Sequence, residues 1–522
     1  MSSRKLTVFL FVGTTISLCN GFAPTLMVGR PQTPQQRRRR PFTTTTSKFH
    51  VAVEPKTDVA LMSDEDWADD DDDDSFDQGD DASCFLFDRL VELLSPEQAD
   101  LVQLNESSDG VRGVYTTQDV AADDAIFVIP LEACLRDDDI PVWMGEEAFD
   151  DVDDEEDGED DTNFEPNSFT ASSWAKRLAG SLLDLQMDVL QGGADTISEP
   201  ADLWLRLLPE PSQLRATLPI HWSEDILEAA HCTALELAVD SAYFTRAQAV
   251  ADLMQALERR TTEEPLRSNY SNRTPDHWHI LAENALDVVQ TRTCRVVSPE
   301  DGTPLRILAP LFDMLNHDNR PNAAFAVERI ETDDDDDEGF YDALVVRAIQ
   351  DIPADSEVFI SYGASTKPSW RCLASYGFVP PYSPEEEEYQ DGDEDMTHSA
   401  EVFLQGMRYE VGPGSVSQEL VDAMAECMDP TVQRPALLTT QVALRLAQRI
   451  SEAAYQMLLD YTGKALDTQV NTNNNIDDLD DESDWSLAHV ISARQAAALR
   501  WNQHRILMSC SLGLRDWAAN QK

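Results

Sequence analysis

Basic side chains are scarce in this 522-residue chain: 39 Lys and Arg stand against 98 Asp and Glu, a formal net charge of −59. A protein that neutralises nucleic-acid phosphates needs the opposite balance, so no nucleic-acid partner is expected. Cysteine is also sparse. Eight are scattered at positions 19, 84, 134, 232, 294, 372, 427 and 510, with no Cys-x-x-Cys pair, no His-Glu-x-x-His and no Cys/His cluster. That spacing excludes a disulfide scaffold and argues against a structural zinc site, and no metal is expected. The apolar run from Leu6 to Leu18 is too short to cross a bilayer, and no membrane contact is expected of the mature protein. No internal repeat is evident. The hydrophobic fraction, 42%, is slightly below ordinary globular usage, which implies at least one core and some chain outside it.

The amino terminus reads as an address. Arg4 and Lys5 precede the apolar run, and Cys19, Asn20 and Gly21 follow it, the order of a signal peptide over residues 1–21. Residues 22–60 begin with Phe22-Ala23-Pro24 and continue with Arg30, Arg37 to Arg40, Thr43 to Thr46 and Lys48, with no acid before Glu54. Basic, hydroxyl-rich and acid-free is transit-peptide composition. A signal peptide running into a transit peptide with Phe at the junction resembles the two-part leader of secondary-plastid algae, so plastid (chloroplast) import is expected. Secretion with a basic propeptide is the alternative; the scattered cysteines speak against an extracellular framework.

The negative charge sits in runs at Asp64–Asp81, Asp137–Asp161, Asp333–Glu338, Glu385–Asp395 and Asp477–Asp484. Like charges at this density repel and bury no apolar surface, so these runs are expected to be solvated loops and linkers. Between them the chain is readable. Cys84 to Leu94 has amphipathic helical spacing, and Gly113–Thr117 and Ala125–Ile129 read as short strands. Trp174, Leu178, Leu182, Leu185 and Val189 fall three or four apart; Trp222, Ile226, Ala229, Ala230 and Leu237 repeat the pattern, as does Trp278 to Val289. Strand-like runs return at Leu305–Leu308, Ala323–Val327, Ala343–Val346 and Glu357–Ser361, and from Val402 onward the pattern is helical.

Three segments concentrate unusual residues. Asp109-Gly110-Val111-Arg112-Gly113 places two glycines three apart before a strand, which permits close backbone approach to a ligand; taken alone, a plain turn into a strand is the better explanation, and the helix that a dinucleotide-binding loop needs does not follow. Leu311 to Asp318 sets Asp313, Asn316 and His317 inside an apolar run, where buried polar groups must find partners or grip a ligand. Glu357 to Gly363 and Cys372 to Val379 each deliver a Tyr and then a Gly, at Tyr362-Gly363 and Tyr376-Gly377.

In this order, with a helical stretch between the first and second, these segments resemble the SET-domain protein methyltransferases. Within that family they resemble the branch that contains the plant Rubisco large-subunit lysine methyltransferase and the actin-histidine methyltransferase. Val120 to Pro130, Trp204 to Pro209, Leu218-Pro219 with Trp222, Gln290-Thr291-Arg292 and the tail Ala493 to Leu507 add to the match. The resemblance implies a mixed α+β architecture: a knotted, β-rich SET fold over residues 84–380 with a helical insert at about 135–300. Acidic linkers at 61–83 and 381–396 flank it, and an all-α, substrate-binding-like domain over 397–522 follows.

It further implies S-adenosylmethionine as cofactor, touched by Gly110, Val111, Arg112, Asn316, His317, Tyr362 and Tyr376. Tyr362 becomes the catalytic residue between cofactor and substrate, and Arg292 and Asp313 match positions on the substrate side. The implied partner is a Lys-bearing protein, Rubisco large subunit or another plastid protein. Histidine methylation on the same fold, and a SET domain that only holds a partner, are the rival readings. The sequence departs from the family pattern: Gly110 and Gly113 are three apart where G-x-G is usual, Lys367-Pro368-Ser369-Trp370 replaces the usual S-N-x-E, Thr291 stands where Ser is usual, and the acidic stretch Asp137–Asp161 falls within the helical insert.

Overall fold

Apolar residues three and four apart build the first element. Phe87, Leu90, Val91 and Leu94 line one side of helix α1 (Gln78–Leu94), and all four are buried. The computed structural model describes residues 78–107, 111–139, 141, 144, 173–192, 197–263, 275–298, 302–331, 339–362, 368–380, 399–464 and 483–521. The expected two-part leader, and the expected linker as far as residue 77, lie outside the described residues, as does most of every other acidic run. Helix α1 itself takes in the last residues of the stretch expected to be a linker.

Short strands form small sheets. Strands β1 (Val102–Glu106) and β2 (Arg112–Thr116) pair antiparallel, with Val102 opposite Thr116 and Glu106 opposite Arg112. Strand β3 (Ala125–Pro130) is the edge of a second sheet with order β3-β9-β8, where β8 is Ala323–Glu331 and β9 is Phe340–Ala348. Ala343, Leu344, Val345 and Val346 of β9 are buried in succession; since side chains alternate, both faces of the sheet are covered there. A third sheet has order β4-β6-β5, from Leu135–Arg136 (β4), Cys294–Val297 (β5) and Pro304–Leu308 (β6).

One segment draws distant parts of the chain together. Strand β10 (Phe359–Ile360) pairs in parallel with β7 (Asn316–His317). On one side of this segment Thr116 N–H donates to Ser356 O (2.9 Å) and Val358 N–H to Val114 O (2.8 Å). On the other, Asp318 N–H donates to Ile360 O and Asn322 N–H to Phe359 O, both at 3.2 Å. Residues 356–360 therefore run between β2 and the 316–322 stretch, which sets the three unusual sequence segments side by side.

The insert is helical, as expected. It comprises α2 (Ser173–Gly192), α3 (Glu199–Leu207), α4 (Pro211–Thr217), α5 (Glu224–Ala229), α6 (Thr233–Glu263) and α7 (Pro275–Arg292). Two details differ from the sequence reading. The Trp222–Leu237 periodicity is interrupted at His231, whose φ of +52° ends α5 before α6 begins, and Leu237 turns to solvent at 56% exposure. Asp137, at the head of an acidic run, is half-buried and not a free loop residue: its carboxylate accepts the Arg306 N–H (3.1 Å) beside Arg177, and burial raises its pKa.

After β10, helix α8 (Ser369–Tyr376) ends in Gly377 at φ +78°, a left-handed cap that suits glycine. Helices dominate the C-terminal region, in α9 (Gln418–Met428), α10 (Thr440–Lys464) and α11 (Ser483–Asn520). Three strands precede them where helix was expected: β11 (Ala400–Leu404), β12 (Met407–Gly412) and β13 (Ser415–Val416). The reason is local. Gln405 and Gly406, at φ +53° and +80°, make a tight hairpin turn with both central residues left-handed, and Val402, Leu404 and Val411 alternate into the core. A separate apolar cluster joins α11 to α8 through Leu373, Ala496 and Leu499.

Candidate active site

Asn316, at the start of β7, is fixed by two inward bonds. Its Nδ2 donates to Arg112 O at 2.8 Å and to Glu357 Oε1 at 2.7 Å. Glu357 Oε2 in turn accepts the Tyr115 hydroxyl at 3.1 Å. Both amide protons of Asn316 are thereby used within the protein, which leaves Oδ1 as the group it offers a ligand. Gly113 is required by the same packing: a Cβ there would collide with Glu357 Oε1 and lie 2.8 Å from Asn316 Nδ2. Arg112 is half-buried, and burial, followed by the neighbouring Arg292, lowers its pKa. Val111 is exposed at the rim, and Gly110 lies outside the described residues.

His317 is oriented by backbone. Tyr362 N–H donates to His317 Nδ1 at 3.2 Å, Ile360 O lies 3.3 Å from the same nitrogen, and Nε2 stands 3.3 Å from Asn319 Oδ1. The imidazole belongs to a cluster of four rings. Its centroid lies 5.3 Å from Tyr362 and 5.8 Å from Phe378; Tyr362 lies 5.1 Å from Tyr376, and Tyr376 lies 6.2 Å from Phe378 in a stacked arrangement. These are spacings of favourable aromatic contact. The Tyr362 hydroxyl donates to Leu315 O at 2.6 Å, and the Tyr376 hydroxyl donates to Tyr362 O at 2.9 Å. Burial raises the Tyr362 pKa above the ordinary phenol value, so its hydroxyl is protonated at neutral pH.

Arg292 and Asp313 form the floor beside this cluster. The Arg292 guanidinium donates to the Asp313 carbonyl and stands 3.5 Å from Oδ2, which also accepts Trp204 Nε1 at 3.3 Å. The Asp313 carboxylate is wholly enclosed, and burial raises its pKa against the pull of Arg292. Its Oδ1 and the Arg292 Nε are buried with no hydrogen-bond partner among the described residues. Asp313 thus faces inward and acts through Arg292 and Trp204.

The structure brings together Arg112, Asn316, His317, Tyr362 and Tyr376, with Arg292 and Asp313 adjacent. It adds Glu357, Tyr115, Phe378 and Trp204, which the sequence reading did not single out as site residues. Glu357 had a usable signal: it is an acid leading directly into the apolar run Val358-Phe359-Ile360. Phe378 had another, since it lies two residues beyond Tyr376. Among the described residues no group of His, Cys, Asp and Glu has the arrangement of a metal site. No helix among them is long and apolar enough to cross a membrane.

The SET domain family model matches residues 111–363, a span that opens beside Arg112 and closes just after Tyr362. The chain carries a SET domain. Solved structures similar to it include the SET domain of LSMT bound to lysine and AdoHcy, 12% identical over 84% of this chain and 92% of that one, with a TM-score of 0.44. Another is Rubisco LSMT bound to sinefungin and monomethyllysine, 12% identical over the same shares, with a TM-score of 0.42. No curated protein sequence matches the chain.

Proposed function

We propose that this SET-domain protein is an S-adenosylmethionine-dependent protein-lysine N-methyltransferase acting on a plastid protein. The observation that carries the reading is the convergence of Asn316, His317 and Tyr362, inside the SET match, with Tyr376, which lies beyond its end. The residues present suit the donor: Asn316 Oδ1 is an acceptor for an ammonium group, and the His317 ring, held by the Tyr362 amide, offers a face to a planar base. Val111 and Arg112 border the same place.

S-adenosylmethionine supplies a methyl group on a cationic sulfur. The chain's task is to align a neutral amine with that carbon, because in-line displacement gains most from positioning. A lysine ammonium with a pKa of ~10.4 costs about 4–5 kcal/mol to deprotonate at pH 7. An enclosure walled by Tyr362, Tyr376 and Phe378 disfavours the charged amine and so reduces that cost. Tyr362 does not serve as the base, because its phenol is protonated and its proton is committed to Leu315 O. Its role is to orient the Leu315 carbonyl and close the wall. Arg292 fixes the backbone at Asp313, two residues before that carbonyl.

The test is incubation of the protein with methyl-labelled S-adenosylmethionine and demethylated plastid extract, with label located by peptide mass. Label on lysine is expected. Label on histidine, or donor binding without transfer to any protein, would overturn the lysine assignment.

A further inference from the structure

The aromatic wall is held from behind by the C-terminal helix. Segment 376–380 carries Tyr376 and Phe378, and its far end is the Pro380 carbonyl. Asn502 of α11 donates its Nδ2 to Pro380 O at 2.7 Å, and Asn502 is only 6% exposed. The start of the segment is anchored from the other side. Gln290 of α7 donates Nε2 to Ala374 O at 2.9 Å, and Gly377 packs so closely on Thr217 that a Cβ would lie 2.9 Å from Thr217 Oγ1. Leu373 of α8 shares a buried cluster with Ala496 and Leu499 of α11. The two rings therefore sit on a short piece of chain clamped between the helical insert and the C-terminal helix.

We infer that Asn502 is a positioning residue of the methyl-transfer site, setting the place of Phe378 and Tyr376 through the Pro380 carbonyl. The inference rests on the methyltransferase reading above. A buried amide-to-carbonyl bond at one end of a tightly turned segment fixes both the height and the direction of the rings between its anchors. Without it the carbonyl is buried and unpaired, and the segment must shift to regain a partner. A shift of the rings moves the amine and leaves the donor's contacts at Asn316 untouched. Loss of Asn502 is thus felt in the transfer step and not in donor binding.

The experiment compares the full chain with N502A and with S492A. Ser492 lies on the same helix and makes an equally buried bond, Oγ to Ala216 O at 2.7 Å, and both of its hydrogen-bond acceptors, Ala216 O and Ala488 O, lie outside segment 376–380. Donor binding is read by calorimetry with S-adenosylmethionine, and turnover by methyl label on plastid extract, below the unfolding transition of all three proteins. N502A is expected to keep donor affinity and to lose turnover by at least about tenfold, since misplacement by about 1 Å costs on the order of 10²-fold. S492A is expected to turn over like the parent. Equal turnover in N502A and S492A overturns the inference, as does a loss of donor affinity equal to the loss of turnover. If N502A does not fold, N502S, which keeps a hydroxyl on a shorter arm, is read against the same control. A parent chain that binds donor but transfers no methyl defeats the functional reading itself, an outcome distinct from these.

Discussion

Glu357 holds Asn316 in place: the Asn316 amide donates to Glu357 Oε1 at 2.7 Å while the Tyr115 hydroxyl occupies the other oxygen at 3.1 Å. The carboxylate thereby decides which end of the amide faces the donor site. Glu357→Ala frees Asn316 to rotate and leaves its Nδ2 with one fixed partner. Affinity for S-adenosylmethionine is expected to fall about tenfold, on the order of 1–2 kcal/mol. Calorimetry on the purified variant checks this; unchanged affinity would remove Glu357 from the site.

Tyr362→Phe deletes the donor to Leu315 O and leaves that carbonyl short of a partner. Turnover is expected to fall by about tenfold or more, with donor affinity retained. Because burial holds the Tyr362 pKa above its ordinary value, the phenol does not titrate between about pH 6 and 10. The ratio of parent to variant turnover should therefore stay constant over that range, while both rates rise with pH as lysine loses its proton. The folded pKa exceeds the unfolded one, so the stability tied to this phenol is complete below about pH 10 and is lost as pH rises further. A turnover ratio that changes near neutral pH would make Tyr362 an acid or base after all.

Asp313 has no exposure of its own, so its ion-pair and hydrogen-bond partners decide whether its charge is tolerated. Trp204→Phe removes one donor and is expected to cost about 1–3 kcal/mol of folding stability. Arg292→Ala leaves a buried carboxylate without its counter-charge and is expected to cost about 3–5 kcal/mol. Burial already raises the Asp313 pKa, and losing Arg292 raises it further. The R292A deficit should accordingly shrink as pH falls from about 7 to 5 and the carboxyl becomes neutral in the folded state. Urea midpoints at the two pH values measure both effects.

Residues 1–60 fused to a fluorescent protein are expected to deliver it to the plastid of an alga with a secondary plastid. Fluorescence secreted or held in the endoplasmic reticulum would leave only the signal-peptide half of the proposed address.

Much of the site was legible because chemistry and order coincide in the sequence. Asp313, Asn316 and His317 interrupt an apolar run, and Tyr362 and Tyr376 each precede a glycine. What the sequence did not reveal depends on partners far apart in the chain: Glu357, in the segment threaded beside β2, meets Asn316, Phe378 meets His317, and Trp204 of the insert meets Asp313. The hairpin at 400–412 was missed for a different reason. Its alternation is short, and Gln405 at a left-handed position is an uncommon turn residue, so helical composition downstream dominated the reading. Asp137 illustrates the converse error: a charge run predicts solvation for its members collectively, yet the first of them is half-buried against Arg177 and the Arg306 amide.

The C-terminal region also touches the insert through one carboxylate. Glu401 on β11 is buried, accepts Thr233 N–H at 3.0 Å and Ala234 N–H at 2.8 Å, and pairs with Arg408 at 3.1 Å. Thr233 and Ala234 are the first residues of α6, so a negative charge from the C-terminal region satisfies the amides of a helix start in the insert. Glu401→Gln keeps the shape but removes the charge and turns one acceptor into a donor facing those amides. A stability loss of about 1–2 kcal/mol is expected, read as a lower urea midpoint with an unchanged slope. An unchanged midpoint would mean that water satisfies the α6 amides as well as Glu401 does.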